Sequence, residues 1–179
     1  VEKLGGRVDL SHRVIEHLRW AKPAGKAPFG PSRARGAKGA GLRYERQLGD
    51  SLPLAAAGLW WEFEDSFGKG FCQTDLLLEL PQGLVVVEVK YTWVPEGHSQ
   101  ISKLYRPVLE AATGKKVFGI VACKALVPGI PFRIVGDLNS ALGIALAGRE
   151  VVWQALPLIP PSRRTRRKGV PSAELSSLL

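Results

Sequence analysis

The stretch Leu84-Val85-Val86-Val87-Glu88-Val89-Lys90-Tyr91 decides the fold. It is an apolar run with two charges near its end. Alternate residues of a strand share a face, so Leu84, Val86, Glu88 and Lys90 lie on one side and Val85, Val87 and Val89 on the other. A carboxylate and an ammonium therefore emerge side by side from an otherwise apolar strand. Such charges are costly to bury unless they are paired or bound to a metal.

Working outward, Pro81-Gln82-Gly83 is a tight turn that joins this strand to a second one, Gln73–Leu80, as a hairpin. With Pro81-Gln82 as the loop, Asp75 stands opposite Glu88. A loop one residue longer leaves it a diagonal neighbour. Two carboxylates held this close repel each other, and a hard divalent cation between them relieves the repulsion. Asp and Glu oxygens with water suit Mg²⁺ or Mn²⁺. Further strands are expected at Leu59–Glu64, Val117–Lys124 and Val151–Leu156. Helices are expected over 38–52, Ser99–Ala112 and Asp137–Ala147, with Pro107 bending or restarting the second. In the first helix Leu42, Glu45, Leu48, Gly49 and Leu52 recur at spacings of three and four. Glu45 thus falls on an apolar stripe, which makes sense if the helix packs over the sheet near Asp75 and Glu88. The order α-β-β-β-α-β-α-β predicts an α/β fold with a central mixed sheet flanked by helices.

Asp75, then Glu88-Val89-Lys90, with Glu45 in a preceding helix, resembles the PD-(D/E)XK nuclease superfamily. The order α-β-β-β-α-β matches its restriction-endonuclease-like core. Gly39-Ala40-Gly41-Leu42-Arg43-Tyr44-Glu45-Arg46-Gln47-Leu48 is similar to the opening helix of archaeal-type Holliday junction resolvases. The resemblance covers about 38–125. Thr74 stands where the family pattern has a proline that many members lack, and Ser66, the nearest counterpart of a serine that the resolvase pattern has shortly before the aspartate, is separated from Asp75 by the loop Phe67-Gly68-Lys69-Gly70. The resemblance implies that Asp75 and Glu88 bind Mg²⁺ or Mn²⁺ with the Val89 carbonyl, and that Glu45 reaches the metal directly or through water. It gives Lys90 the task of positioning the attacking water, and implies cleavage to a 5′-phosphate and a 3′-hydroxyl. Gln100 followed by Tyr105 resembles the glutamine–tyrosine motif of RecB-type and phage exonucleases, which adds Gln100 to the candidate catalytic residues.

The leading expectation is a Mg²⁺-dependent, structure-selective DNA endonuclease that resolves four-way junctions in recombination and repair. It would be a homodimer, because a junction presents two equivalent strands, with the apolar 126–157 region as part of the dimer face. A phage-encoded member acting in the host cytoplasm fits this reading. Two rivals stand beside it: an exonuclease or another recombination nuclease, and a catalytically silent nuclease fold that binds nucleic acid within a larger assembly.

Blander readings compete at each position. Alone, Glu88 and Lys90 would be a solvent-facing pair on an edge strand; Asp75 in register and Glu45 on an inward face argue against that. Glu45 could simply favour the helix dipole, Gln100 could be a buried amide, and Tyr105 core packing. His98 reads as a helix cap. Of Trp60 and Trp61, one should be core, leaving the other to stack on a base or join an interface.

Composition frames these candidates. The chain has 179 residues, 25 Lys+Arg against 16 Asp+Glu, a formal charge of +9, two Cys and no Met. No apolar run approaches the roughly 20 residues that span a bilayer, so no membrane partner is expected, and no signal peptide is evident. Cys72 and Cys123 fit reduced core residues of a cytoplasmic protein. The missing Met suggests a trimmed start. A basic N-terminal arm is expected over 1–37, with a short helix around Leu10–Trp20, and a basic C-terminal tail over 158–179. The nuclease domain would occupy 38–157. Arg33, Arg35, Lys38, Arg43, Arg46, Lys69, Arg163, Arg164, Arg166, Arg167 and Lys168 are the candidate contacts to the backbone of branched or duplex DNA.

Overall fold

The computed structural model describes residues 13–28 and 35–158. The elements run β1 (Trp20–Pro23), α1 (Gly36–Ser51), β2 (Ala56–Asp65), β3 (Gly68–Leu80), β4 (Gly83–Thr92), α2 (Glu96–Gln100), a π-helical turn (Ile101–Tyr105), α3 (Arg106–Thr113), β5 (Val117–Ala125), β6 (Arg133–Val135), α4 (Leu138–Leu146) and β7 (Val151–Gln154). The strands form one seven-stranded sheet in the order β1-β2-β3-β4-β5-β7-β6. Pairings from β1 to β4 are antiparallel, and those from β4 to β6 are parallel. The chain is α/β with a mixed sheet flanked by helices, as the element order predicts.

β4 lies at the centre of this sheet because it is apolar on both faces. Val85, Val86 and Val87 are all fully buried. Leu84 and Val86 pack with Ile101, Leu104, Tyr105, Val108 and Leu109 from the α2–α3 side. Val85, Val87 and Val89 pack with Tyr44 and Leu48 of α1 and with Ala141 and Ala145 of α4. The β3–β4 hairpin has the register expected for a Pro81-Gln82 loop, with Leu80 facing Gly83 and Leu76 facing Val87. Gly83 makes the turn at φ +143, and its α-carbon lies against the Lys116 carbonyl, which leaves no room for a side chain.

β3 is not regular along its length. Cys72 and Leu76 stand four residues apart and by alternation should share a face. Cys72 packs with the α3 side and Leu76 with the α1 side, so the alternation slips by one residue between them. Asp75 sits in that interval. Opposite it, β2 pairs Ala57 with Leu76 and Leu59 with Thr74 but skips Gly58, whose φ is +64. The register is the same on both sides, so no residue is inserted; Gly58 and Asp75 leave the ladder together, and the side chains beyond them change face.

Three expectations change. Residues 13–19 are not helical, and Trp20–Pro23 is an edge strand rather than part of a free arm. Arg13 holds this segment down: it pairs with the buried Asp65, donates to the Gly68 carbonyl and lies over the Phe63 ring. A four-residue edge strand has too short a pattern to show periodicity, and β6 escaped for the same reason. In α1 the buried residues are Gly39, Tyr44 and Leu48, while Leu42 is exposed. The buried stripe runs through Tyr44, whose hydroxyl donates to the Ala155 carbonyl at 2.7 Å, and Glu45 is at its margin. His98 caps nothing: α2 begins at Glu96, and the His98 ring is buried against Phe132. Among the described residues, no helix is long and apolar enough to cross a membrane.

Candidate active site

The site forms where β3 and β4 part. Continuing their register, Thr74 would face Val89 and share its backbone hydrogen bonds. The ladder ends instead at Leu76 and Val87, and the Val89 N–H donates to Asp75 Oδ2 at 2.8 Å. A side-chain oxygen has replaced a strand partner. In a strand, the N–H and C=O of one residue point to the same side, so the Val89 carbonyl faces the same gap as Asp75.

Glu88 is fully buried, next to this gap. Its Oε1 accepts from Lys90 Nζ at 2.5 Å. Among the described residues its buried Oε2 has no hydrogen-bond partner of good geometry, although the side chains of Tyr105 and Asp75 lie close enough to favour its ionised form. Lys90 Nζ also donates to Gln100 Oε1 at 3.2 Å. Gln100 Nε2 donates to the Tyr105 hydroxyl at 2.7 Å, and that hydroxyl donates to the Gln73 carbonyl at 2.9 Å.

These groups also act on one another electrostatically. Burial, then repulsion from Glu88 and Glu45, raises the Asp75 carboxyl well above the usual range, against the Val89 N–H and Lys90. Glu88 is also raised by burial, opposed by Lys90, Tyr105 and Asp75. Glu45 is raised by burial and by Glu88, opposed by Lys90 and Arg46. Burial and the two nearby carboxylates push the Tyr105 hydroxyl up as well. Three carboxyls thus act on one another around the Lys90 ammonium, and all three are raised by burial first. What this cluster lacks is positive charge.

The expected candidates therefore divide. Asp75, Glu88, Val89, Lys90 and Gln100 come together, and Glu45 stands near enough to feel Glu88 and Lys90. Arg35, Lys38, Arg43 and Arg46 are exposed at the start and along the outer side of α1. Lys69 is six residues before Asp75 on β3, with its ammonium 5.9 Å from the Trp20 ring centre, so it stands apart from the acidic cluster. Ser66 is in the β2–β3 turn and its N–H donates to the Glu16 carbonyl. Arg33, Arg163, Arg164, Arg166, Arg167 and Lys168 lie outside the described residues. Trp61 is the core member of its pair; its indole N–H meets Thr74 Oγ1 at 3.4 Å. Tyr105, read from sequence as core packing, is both buried and part of the hydrogen-bonded cluster. The Gln73 carbonyl was not legible, since any residue supplies one.

Whether the cluster suits a metal depends on its donors. Among the described residues, no three His, Cys, Asp or Glu side chains are disposed to hold one ion. Two carboxylates and a backbone carbonyl are hard oxygen donors, and Mg²⁺ characteristically takes one or two carboxylates and keeps several waters. Glu88 Oε2, buried without a hydrogen-bond partner of good geometry among the described residues, is a hard oxygen donor of the same kind. Set against family models, curated proteins and solved structures, the chain matches none.

Proposed function

We propose that this chain is a Mg²⁺-dependent, structure-selective DNA endonuclease with a restriction-endonuclease-like core, acting on four-way junctions. The observation that carries the reading is the Asp75 carboxylate taking a strand hydrogen bond from Val89 beside the buried Oε2 of Glu88, with Lys90 across from both. Asp75, Glu88 and the Val89 carbonyl would hold the cation, and Glu45 would reach it directly or through water. The cation would supply activation of water and stabilisation of negative charge on the phosphate. Lys90 would orient the attacking water and offset negative charge as it develops on the phosphate. The exposed bases of α1 and the charge of +9 supply non-specific attraction to a phosphate backbone. Two-fold DNA would call for a symmetric dimer.

The Gln100–Tyr105 hydrogen bond favours a second reading, an exonuclease, because it joins the two residues of that resemblance. Incubation with four-way junctions, linear duplex and single strands in Mg²⁺ separates them. Paired symmetric nicks near the junction centre support the resolvase; progressive loss from ends supports the exonuclease. Asp75→Asn and Glu88→Gln are expected to abolish cleavage and leave DNA binding intact. Cleavage by either variant at the wild-type rate refutes both, and Mg²⁺-independent binding without cleavage by the wild type points to the silent fold.

A further inference from the structure

Lysine is a poor choice for a fixed position. Its ammonium rides on a flexible stem, and its three protons can be satisfied in many arrangements. Lys90 is also about a quarter exposed at its side chain, so burial alone does not hold it. Two acceptors do: Glu88 Oε1 from its own strand and Gln100 Oε1 from α2.

The second acceptor is itself oriented. An ammonium only donates, so the Gln100 amide must turn its oxygen to Lys90 and its nitrogen away. That nitrogen meets the Tyr105 hydroxyl, whose proton must then go elsewhere, and it goes to the Gln73 carbonyl. The three bonds run head to tail, an arrangement in which each polarises the next. The far end is fixed on β3, two residues from Asp75. The ammonium is thereby tied to the strand that carries the other carboxylate.

Helix geometry makes this contact unusual. Residues five apart on an α-helix point about 140° away from each other. Gln100 and Tyr105 are five apart and in contact because Ile101–Tyr105 is a π turn, in which the Arg106 N–H reaches the Ile101 carbonyl. Pro107 explains the turn. It has no N–H to offer Lys103, and its ring would strike the Lys103 carbonyl in a regular helix. That carbonyl instead accepts from Ile15 N–H at 3.2 Å. Gly119 of β5 leaves space for Ile101, which would collide with any side chain there.

We propose that Gln100 and Tyr105, brought into register by the Ile101–Tyr105 π turn, are positioning residues that hold the Lys90 ammonium between Glu88 and the Asp75 gap. The consequence for catalysis rests on the nuclease reading above; the positioning itself does not. Gln100→Leu is expected to lower kcat for DNA cleavage by about 10–100-fold, as loss of an outer partner typically does, with KM and Mg²⁺ affinity unchanged. Gln100→Glu, which keeps an acceptor for Lys90, should recover most of the loss. Tyr105→Phe, which removes one hydroxyl, should give a smaller fall in kcat and serves where Gln100→Leu does not fold. The independent readout is the Nζ resonance of Lys90 in the metal-free protein. It should be distinct in the wild type and in Gln100→Glu, and averaged toward that of free lysine in Gln100→Leu and Tyr105→Phe. If the wild type cleaves DNA and the folded variants keep both kcat and the resonance, the positioning role is overturned and the nuclease stands. If the wild type cleaves nothing but the resonance responds as stated, the nuclease reading falls and the positioning role stands.

Discussion

Asp75→Asn should make the metal-free protein more stable while removing its activity. Glu88 is the main charge that repels Asp75, and two unit charges about 5 Å apart repel by about 3 kcal/mol at an effective dielectric of about 20. Against this, the Val89 N–H exchanges an ionised acceptor for a neutral one, a loss of about 1 kcal/mol, and the attraction of Lys90 for Asp75 also goes. The net gain is about 1–2 kcal/mol at neutral pH. For a chain of this size that is a rise in Tm of about 2–8 °C. Its sign with pH follows from the raised carboxyl. The folded protein holds the Asp75 proton to higher pH than the unfolded chain, so stability is lost as pH rises through the folded-state pKa. The variant does not suffer that loss, and its advantage should widen from acid to neutral pH. Saturating Mg²⁺ should reverse the ranking: at 100 times its Kd a cation stabilises by about 2.7 kcal/mol, and the variant has one ligand fewer. Thermal unfolding in chelator and in Mg²⁺ across this pH range checks all three statements. A variant less stable than wild type at neutral pH in chelator, or equal stabilisation of both by Mg²⁺, refutes the account of this site as a cation-deficient pair.

Two further outcomes concern the scaffold. Arg13→Ala leaves the fully buried Asp65 without its partner and should cost about 3–5 kcal/mol in urea unfolding; adding Asp65→Asn should return part of it, and an unchanged midpoint for Arg13→Ala would show the pair to be inert. Burial lowers the pKa of His98 below its ordinary 6.5, so the unfolded chain binds a proton that the folded one refuses and stability falls as pH drops below that value. The difference between wild type and His98→Gln in urea midpoints over about pH 5 to 7 isolates this slope; parallel profiles would show that His98 does not contribute.

The centre of the sheet was legible because β4 states its burial in its own composition: an unbroken apolar run can only be covered on both faces. The Pro-Gln-Gly turn then set the register, and the register delivered Asp75 to Glu88. Where the pattern was weaker, other forces decided. Leu42 and Leu48 suggested one stripe for α1, but the buried hydroxyl of Tyr44 has a partner in Ala155 and sets the helix rotation about one residue away. β1 is held by Arg13 and Asp65, an ion pair fifty-two positions apart that no local window contains. Pro107 announced a disturbance in the second helix, yet its outcome, a wider turn rather than a break, depended on the Ile15 N–H and on Gly119, both remote in sequence. The slip at Asp75 is a property of two ladders at once and has no trace in β3 alone except through Gly58 on its neighbour.

The sheet also has two borders, and both are short: four residues in β1 and three in β6. β1 covers the Trp61-Glu62-Phe63-Glu64 part of the ten-residue β2, which would otherwise present an aromatic, hydrogen-bond-hungry margin. Long exposed margins of this composition recruit other strands. β1 ends the sheet instead with a proline and a lysine, Pro23 and Lys22, which are poor templates for addition. The segment from Arg13 to Pro23 thus closes that margin. A chain shortened past Pro23 would retain its acidic cluster and bare the rim of β2.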